Sequence, residues 1–140
     1  MISKQPYCSS IAIIILLPLT VFSMNIILIF FVGMKVVNET ILDLLLHTLG
    51  GISISISIAG VLWHLAHRRI IVVHDVAIYR VLVFGLVCFV VICWELLEFI
   101  LYTHPDILTY PDTITDMCCG LVGGLLGMFS IPRSVCEMPV

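Results

Sequence analysis

The sequence predicts an all-α integral membrane protein: a bundle of four transmembrane helices forming one domain over residues 1–140, with both termini in the cytoplasm. Three observations predict it. Hydrophobic residues make up 61% of the chain and charged residues only 11%, where a soluble domain carries about a quarter charged residues. Lipid must therefore be the solvent for most of the surface, and the mean hydropathy of +1.25 agrees. The apolar residues also fall into four long runs, each close to or above the ~20 residues that cross the hydrocarbon as a helix. Finally, five of the six basic residues gather on one side of that topology.

The first span is expected over residues 11–34. No charge occurs between Lys4 and Lys35. A signal peptide has a shorter apolar region followed by a small-residue cleavage site; this run is too long and no such site follows it. Pro18 predicts a kink.

The second span is expected over residues 41–65. Within it Ile52-Ser-Ile-Ser-Ile-Ser-Ile58 alternates like a half-buried strand. An isolated strand would leave its backbone unpaired in lipid, whereas a helix satisfies its own. As a helix, Gly50, Ser53, Ser57 and Gly60 form a stripe of small residues suited to close approach by a second helix.

The third span, 76–101, carries Arg80 near one end and Glu95 and Glu98 near the other. The fourth, 113–131, holds Gly120, Gly123, Gly124 and Gly127, in two overlapping small-xxx-small pairs that mark a helix-packing face. Pro111 before it and Pro132 after it are helix punctuation.

With four spans, Lys4, Arg68, Arg69, Arg80 and Arg133 share one side and Lys35 alone takes the other. The positive-inside rule makes the first side cytoplasmic, giving a multi-pass protein of the cell inner or plasma membrane. Trp63, Trp94, Tyr7, Tyr102 and Tyr110 lie near span ends, as an aromatic belt does. The net charge of −3 and the lack of a basic run exclude a nucleic-acid partner. The six cysteines match no zinc motif or disulfide framework and read as small apolar residues of a helical interior, with the vicinal Cys118–Cys119 pair set apart. His64 and His67, beside Arg68 and Arg69, read as interfacial anchors.

Six ionisable residues share one depth. Asp43 and His47 open the second span, Glu95 and Glu98 close the third, and Asp112 and Asp116 open the fourth. At ~1.5 Å per residue all lie within roughly 10 Å of the outer interface. Each pair has i,i+3 or i,i+4 spacing and so shares a helix face. Asp116 continues the glycine face of its helix and is expected to point into the bundle. Asp112 also suits a helix cap. Ionisable residues inside a membrane point to function, and carboxylates with one imidazole suit one divalent metal ion: zinc, manganese, magnesium or iron. No HExxH or ExxH signature accompanies them.

Asp43-Leu-Leu-Leu-His47 followed by Gly50-Gly51 is similar to the aspartate-x-x-x-histidine opening of VanZ-like membrane proteins. Trp94-Glu95-Leu-Leu-Glu98, Asp112-Thr-Ile-Thr-Asp116-Met and the glycine-rich helix after them resemble the YjdF-like family of small bacterial inner-membrane proteins. The resemblance covers residues 41–130. It implies a polytopic envelope protein and carries the same six positions, Asp43, His47, Glu95, Glu98, Asp112 and Asp116. VanZ-like proteins usually have Lys after the aspartate, where this chain has Leu44, which argues against a lysine-dependent role.

The expectation is thus a membrane protein with a polar, metal-binding site near its outer face, acting on or recognising an envelope lipid or glycan precursor. The alternatives are a proton- or cation-handling membrane protein, expected as a homo-oligomer, and a scaffold whose polar residues only clasp helices together.

Overall fold

A computed structural model of the chain describes residues 7–33, 41–101 and 110–130. Lys4, Lys35, Tyr102, Pro132, Arg133 and Cys136, on which parts of the expected topology rest, lie outside the described residues, as do the side chains of Tyr7, Cys8, Tyr110 and Pro111. The described chain forms four helices: α1 (Tyr7–Val32), α2 (Ile41–His67), α3 (Val76–Leu101) and α4 (Tyr110–Ser130). All four are long and apolar enough to cross a membrane, and no strand occurs among the described residues.

The helix ends follow local chemistry. Gly33, at φ 95°, terminates α1, its N–H donating to the Ile29 carbonyl at 3.0 Å. Arg69, at φ 57°, ends α2 in the same left-handed way, with the N–H of Ile70 donating to Leu65 at 3.0 Å. Asp75 caps α3: its Oδ1 accepts from the N–H groups of Ala77 and Ile78. Helix α4 begins at Tyr110 rather than at Thr113, which places Pro111 in the first turn, where its missing N–H leaves no helical bond unmade.

Helix α2 is the hub. It packs most extensively on α4 and also carries α1 and α3, while α3 packs on α4 as well. Helix α1 rests mainly on α2, and none of its described side chains from Ile14 onward is fully buried. The result is a three-helix core with α1 on its flank, not four helices sharing one interior equally. The reason lies in residue size: α1 has no stripe of small residues to bring a second and third helix close.

The Ser/Ile alternation of α2 is explained by its neighbours. Gly51, Ser53, Ser55, Ser57 and Ala59 are all buried although they alternate. Residues two apart on a helix point to opposite sides, so a helix contacted on both sides buries small residues at every second position. A β-carbon at Gly60 would strike the side chain of Ile14 in α1, and the Ser57 hydroxyl donates to the Ile14 carbonyl at 2.5 Å. On the far side, a β-carbon at Gly51 would meet the Gly120 carbonyl of α4, and Gly127 of α4 approaches Ile52 and Ser55.

Helix α3 presents one row at i,i+4 spacing: Tyr79, Val83, Val87, Val91 and Glu95, all buried. Val87 fits against Gly124 and Val91 against Gly120, so the row fills a groove made by α4 glycines at the same spacing, one ridge in one groove. Tyr79, fully buried, donates its hydroxyl to the Ala59 carbonyl at 2.6 Å and ties α3 to α2. Because the row and the groove share a period, extending both by one step brings Glu95 of α3 and Asp116 of α4 to the same end of the core.

Candidate functional site

Three helices deliver ionisable side chains to that end. Asp43 and His47 stand in the first two turns of α2, Glu95 and Glu98 in the last two turns of α3, and Asp116 in the second turn of α4. Asp43, Glu95 and Asp116 are only 5%, 5% and 4% exposed. Glu98 and Asp112 are half-buried.

His47 is the centre of the group, and its two ring nitrogens have different neighbours. Nε2 lies 3.5 Å from Asp43 Oδ1 and 3.9 Å from Asp116 Oδ2. Nδ1 lies 3.7 Å from Glu95 Oε1. Donor atoms of Asp43, His47 and Asp116 all fall within 4.8 Å of one another, and so do those of His47, Glu95 and Glu98. Asp112 belongs to neither set; in the first turn of α4 its carboxylate favours the helix N-terminus.

With its carboxylates ionised, the cluster has a charge balance that favours a cation. Two like charges about 4 Å apart repel by roughly 4 kcal/mol at an effective dielectric constant of about 20. A single imidazolium offsets one carboxylate, and this cluster gathers at least four around it. The hydrogen bonding agrees: Glu95 Oε1 and Asp116 Oδ1 are buried and have no hydrogen-bond partner, whereas buried polar atoms are normally satisfied. Metal–ligand bonds of about 2.0–2.2 Å set neighbouring donors roughly 3 to 3.5 Å apart. The Nε2–Asp43 separation meets this, and the 3.9 Å to Asp116 needs to close by only a few tenths of an ångström.

An ion held at Nε2 by Asp43 and Asp116 would leave Nδ1 free to keep its proton and donate toward Glu95, and such a carboxylate–imidazole–metal relay would fix the ring and strengthen it as a ligand.

Next to the cluster a cavity of about 500 Å³ opens between α1, α2 and α3. His47 and Glu95 lie on its wall, together with Asn25, Ile54, Trp94 and other residues, most of them apolar. Phe22 and Trp94 meet edge to face across it, with centroids 5.3 Å apart. Sequence reading missed both the cavity and Asn25. The available signal was that Asn25 is the one amide side chain in the run from Ile11 to Met34.

The glycines act on the frame of the site. Gly120 and Gly124 receive valines of α3, while Gly123 and Gly127 abut the backbone of α2 at Thr48 and Ile52. They set the distance at which Asp116 meets His47.

No family model, curated protein or solved structure matches the chain. Fold and site together define the class: a multi-pass helical membrane protein with a buried acidic–histidine cluster at one end of its core.

Proposed function

We propose that this is an inner- or plasma-membrane protein with both termini in the cytoplasm, whose cluster near the outer face holds one divalent metal ion and recognises or acts on an envelope lipid or glycan precursor. His47 Nε2, Asp43 and Asp116 are the ligands, Glu95 orients the imidazole through Nδ1, and Glu98 lies beside it. Orientation rests on the basic residues, which favour the opposite end as the cytoplasmic one. The envelope context draws on the VanZ-like and YjdF-like motifs.

One observation supports the metal: His47, largely but not fully enclosed, sits between carboxylates from three helices, two of them with buried oxygens that have no hydrogen-bond partner. A purely structural clasp would pair those oxygens with donors of the protein. Imidazole among the ligands favours zinc, manganese or iron over magnesium.

Elemental analysis of the detergent-purified protein tests the reading. The expected result is one such ion per chain, lost in His47→Ala. Protein that carries no metal and takes up none on titration with zinc, manganese or ferrous iron would overturn it.

A further inference from the structure

The cavity between α1, α2 and α3 is built unevenly along its length. Ile14 of α1 meets Ser57 and Gly60 of α2, while Phe22 meets Trp94, the neighbour of Glu95 beside His47; with these two anchors α1 and α2 run antiparallel and Asn25 comes near the level of His47. Asn25, His47 and Glu95 therefore gather at one end. The rest of the wall is apolar, from Val21 and Phe22 through Ile54 and Ile58 to Val90 and Val91. From His47 to Ile58 the wall follows α2 for about 16 Å, at ~1.5 Å per residue. The volume of about 500 Å³ falls within the ~300–1,000 Å³ usual for small-molecule sites.

Two buried atoms at the polar end have no hydrogen-bond partner, Asn25 Oδ1 and Glu95 Oε1, the latter having only the His47 ring at 3.7 Å, and Glu95 is only 5% exposed. Both are hydrogen-bond acceptors. An anionic head would meet the Glu95 carboxylate and be repelled, and a cationic one would have to give up its water in a cavity whose wall is mostly apolar. A hydroxyl supplies one donor without a charge, to Glu95 Oε1, and its oxygen can at the same time accept from the Asn25 amide once that side chain turns its Nδ2 toward it. The apolar body lies between membrane-spanning helices, and α1 is held mainly by α2, so a hydrocarbon chain can enter sideways from the bilayer without crossing water.

We propose that this cavity binds the single hydrocarbon chain of a hydroxyl-headed amphiphile, with its hydroxyl at Asn25 and Glu95 and its chain along Phe22, Ile54 and Val90. The assignment rests on the lipid half of the reading above and deepens it by naming the ligand class. The metal lies on the opposite, Nε2 face of His47, so the two sites are tested separately.

The probe is a hexadecanol carrying a mid-chain diazirine, photolysed with the purified full-length protein, with labelled residues located by mass spectrometry. Labelling is expected on cavity residues such as Phe22, Ile54 and Val90, competed by unlabelled monoacylglycerol and not by hexadecane. A β-carbon at Gly50 meets nothing within 4 Å, although Gly50 lines the cavity. Gly50→Leu should therefore fill the space without breaking the fold and reduce cavity labelling by at least about tenfold, with metal content unchanged. Asn25→Leu should narrow the preference for alcohol over alkane by about threefold to tenfold. Labelling confined to the lipid-facing Phe30, Phe89 and Phe99, or equal competition by hexadecane, would overturn the proposal. So would unchanged cavity labelling in Gly50→Leu. Metal-free protein that still shows the selective labelling would refute the metal and leave this assignment standing; metal-loaded protein without it would do the reverse.

Discussion

The hydroxyl of Ser57 donates to the carbonyl of Ile14 at 2.5 Å, from α2 to α1. Ile14 lies four residues before Pro18, which has no N–H to give it, so this carbonyl takes its donor from a side chain of another helix. Ser57 also reaches the Ser53 carbonyl at 2.8 Å, but that acceptor already has the Ser57 amide of its own helix. Ser57→Ala should therefore strip the Ile14 carbonyl of its donor and loosen α1, at about 0.6–1.7 kcal/mol, the range for interhelical hydrogen bonds in membranes. Pro18→Ala restores the helical bond, so the double variant should lose little beyond Pro18→Ala itself. Unfolding in mixed detergent, arranged as a double-mutant cycle, measures the coupling; strictly additive losses would show that the two sites are independent.

A second expectation separates glycines that touch backbone from those that face open space. A β-carbon at Gly123 would strike the Thr48 carbonyl and one at Gly51 the Gly120 carbonyl, while Gly50 and Gly85 meet nothing within 4 Å. Gly123→Ala and Gly51→Ala should each destabilise by about 1–3 kcal/mol. Gly85→Ala should be neutral or stabilise by up to about 1 kcal/mol. Gly124 meets the side chain of Val87 ahead of any backbone of another helix, so Gly124→Ala should fall between them. Melting temperatures in one detergent give the order, and equal shifts at Gly123 and Gly85 would refute it.

The contrast between these glycines marks how far the sequence could be read. Hydropathy places the spans because lipid imposes one requirement on each of them, and depth along a helix follows from counting residues, which is why Asp43, His47, Glu95 and Asp116 could be assigned to one layer. Which neighbour each face meets depends on side chains far away in sequence. Gly120 and Gly124 turn to α3 while Gly123 and Gly127 turn to α2, a division that a single stripe does not reveal. The flanking position of α1 and the cavity it leaves follow from the same kind of long-range fit. Asn25 was visible as a polar residue in an apolar run, but its meaning depends on the antiparallel pairing of α1 with α2.

Orientation has its own test. The turn at residues 68–75 carries Arg68 and Arg69 and should face the cytoplasm. Val72 is 69% exposed there, so Val72→Cys in a background without native cysteines should resist a membrane-impermeant maleimide in intact cells and react after lysis. Native Cys8 and Cys136, at the termini, should be spared in the same way when the chain is otherwise cysteine-free. Reaction at any of the three in intact cells would reverse the topology and move the cluster to the inner face.

The last expectation concerns the two faces of His47. Its Nε2 approaches Asp43 and Asp116, at 3.5 and 3.9 Å, and its Nδ1 approaches Glu95 at 3.7 Å. If the ion sits at Nε2, the carboxylates divide by role. Asp43→Asn and Asp116→Asn each remove a charged ligand and should abolish stoichiometric metal, while the close size of Asn keeps the helix contacts. Glu95→Gln leaves the ligands in place and weakens only the group that orients the ring, an outer-shell change that typically lowers affinity by about 10–100-fold. Glu98→Gln should fall at or below the Glu95→Gln effect, because Glu98 is half-buried and groups with His47 and Glu95, not with Asp43 and Asp116. Competition titration with a chromophoric chelator measures all four affinities on protein of verified fold. If instead Glu95→Gln and Glu98→Gln abolish the metal while Asp43→Asn and Asp116→Asn only weaken it, the ion is held at Nδ1 and the two faces of the imidazole exchange roles. Equal and small effects in all four variants would mean that the cluster is a clasp between helices and holds no ion.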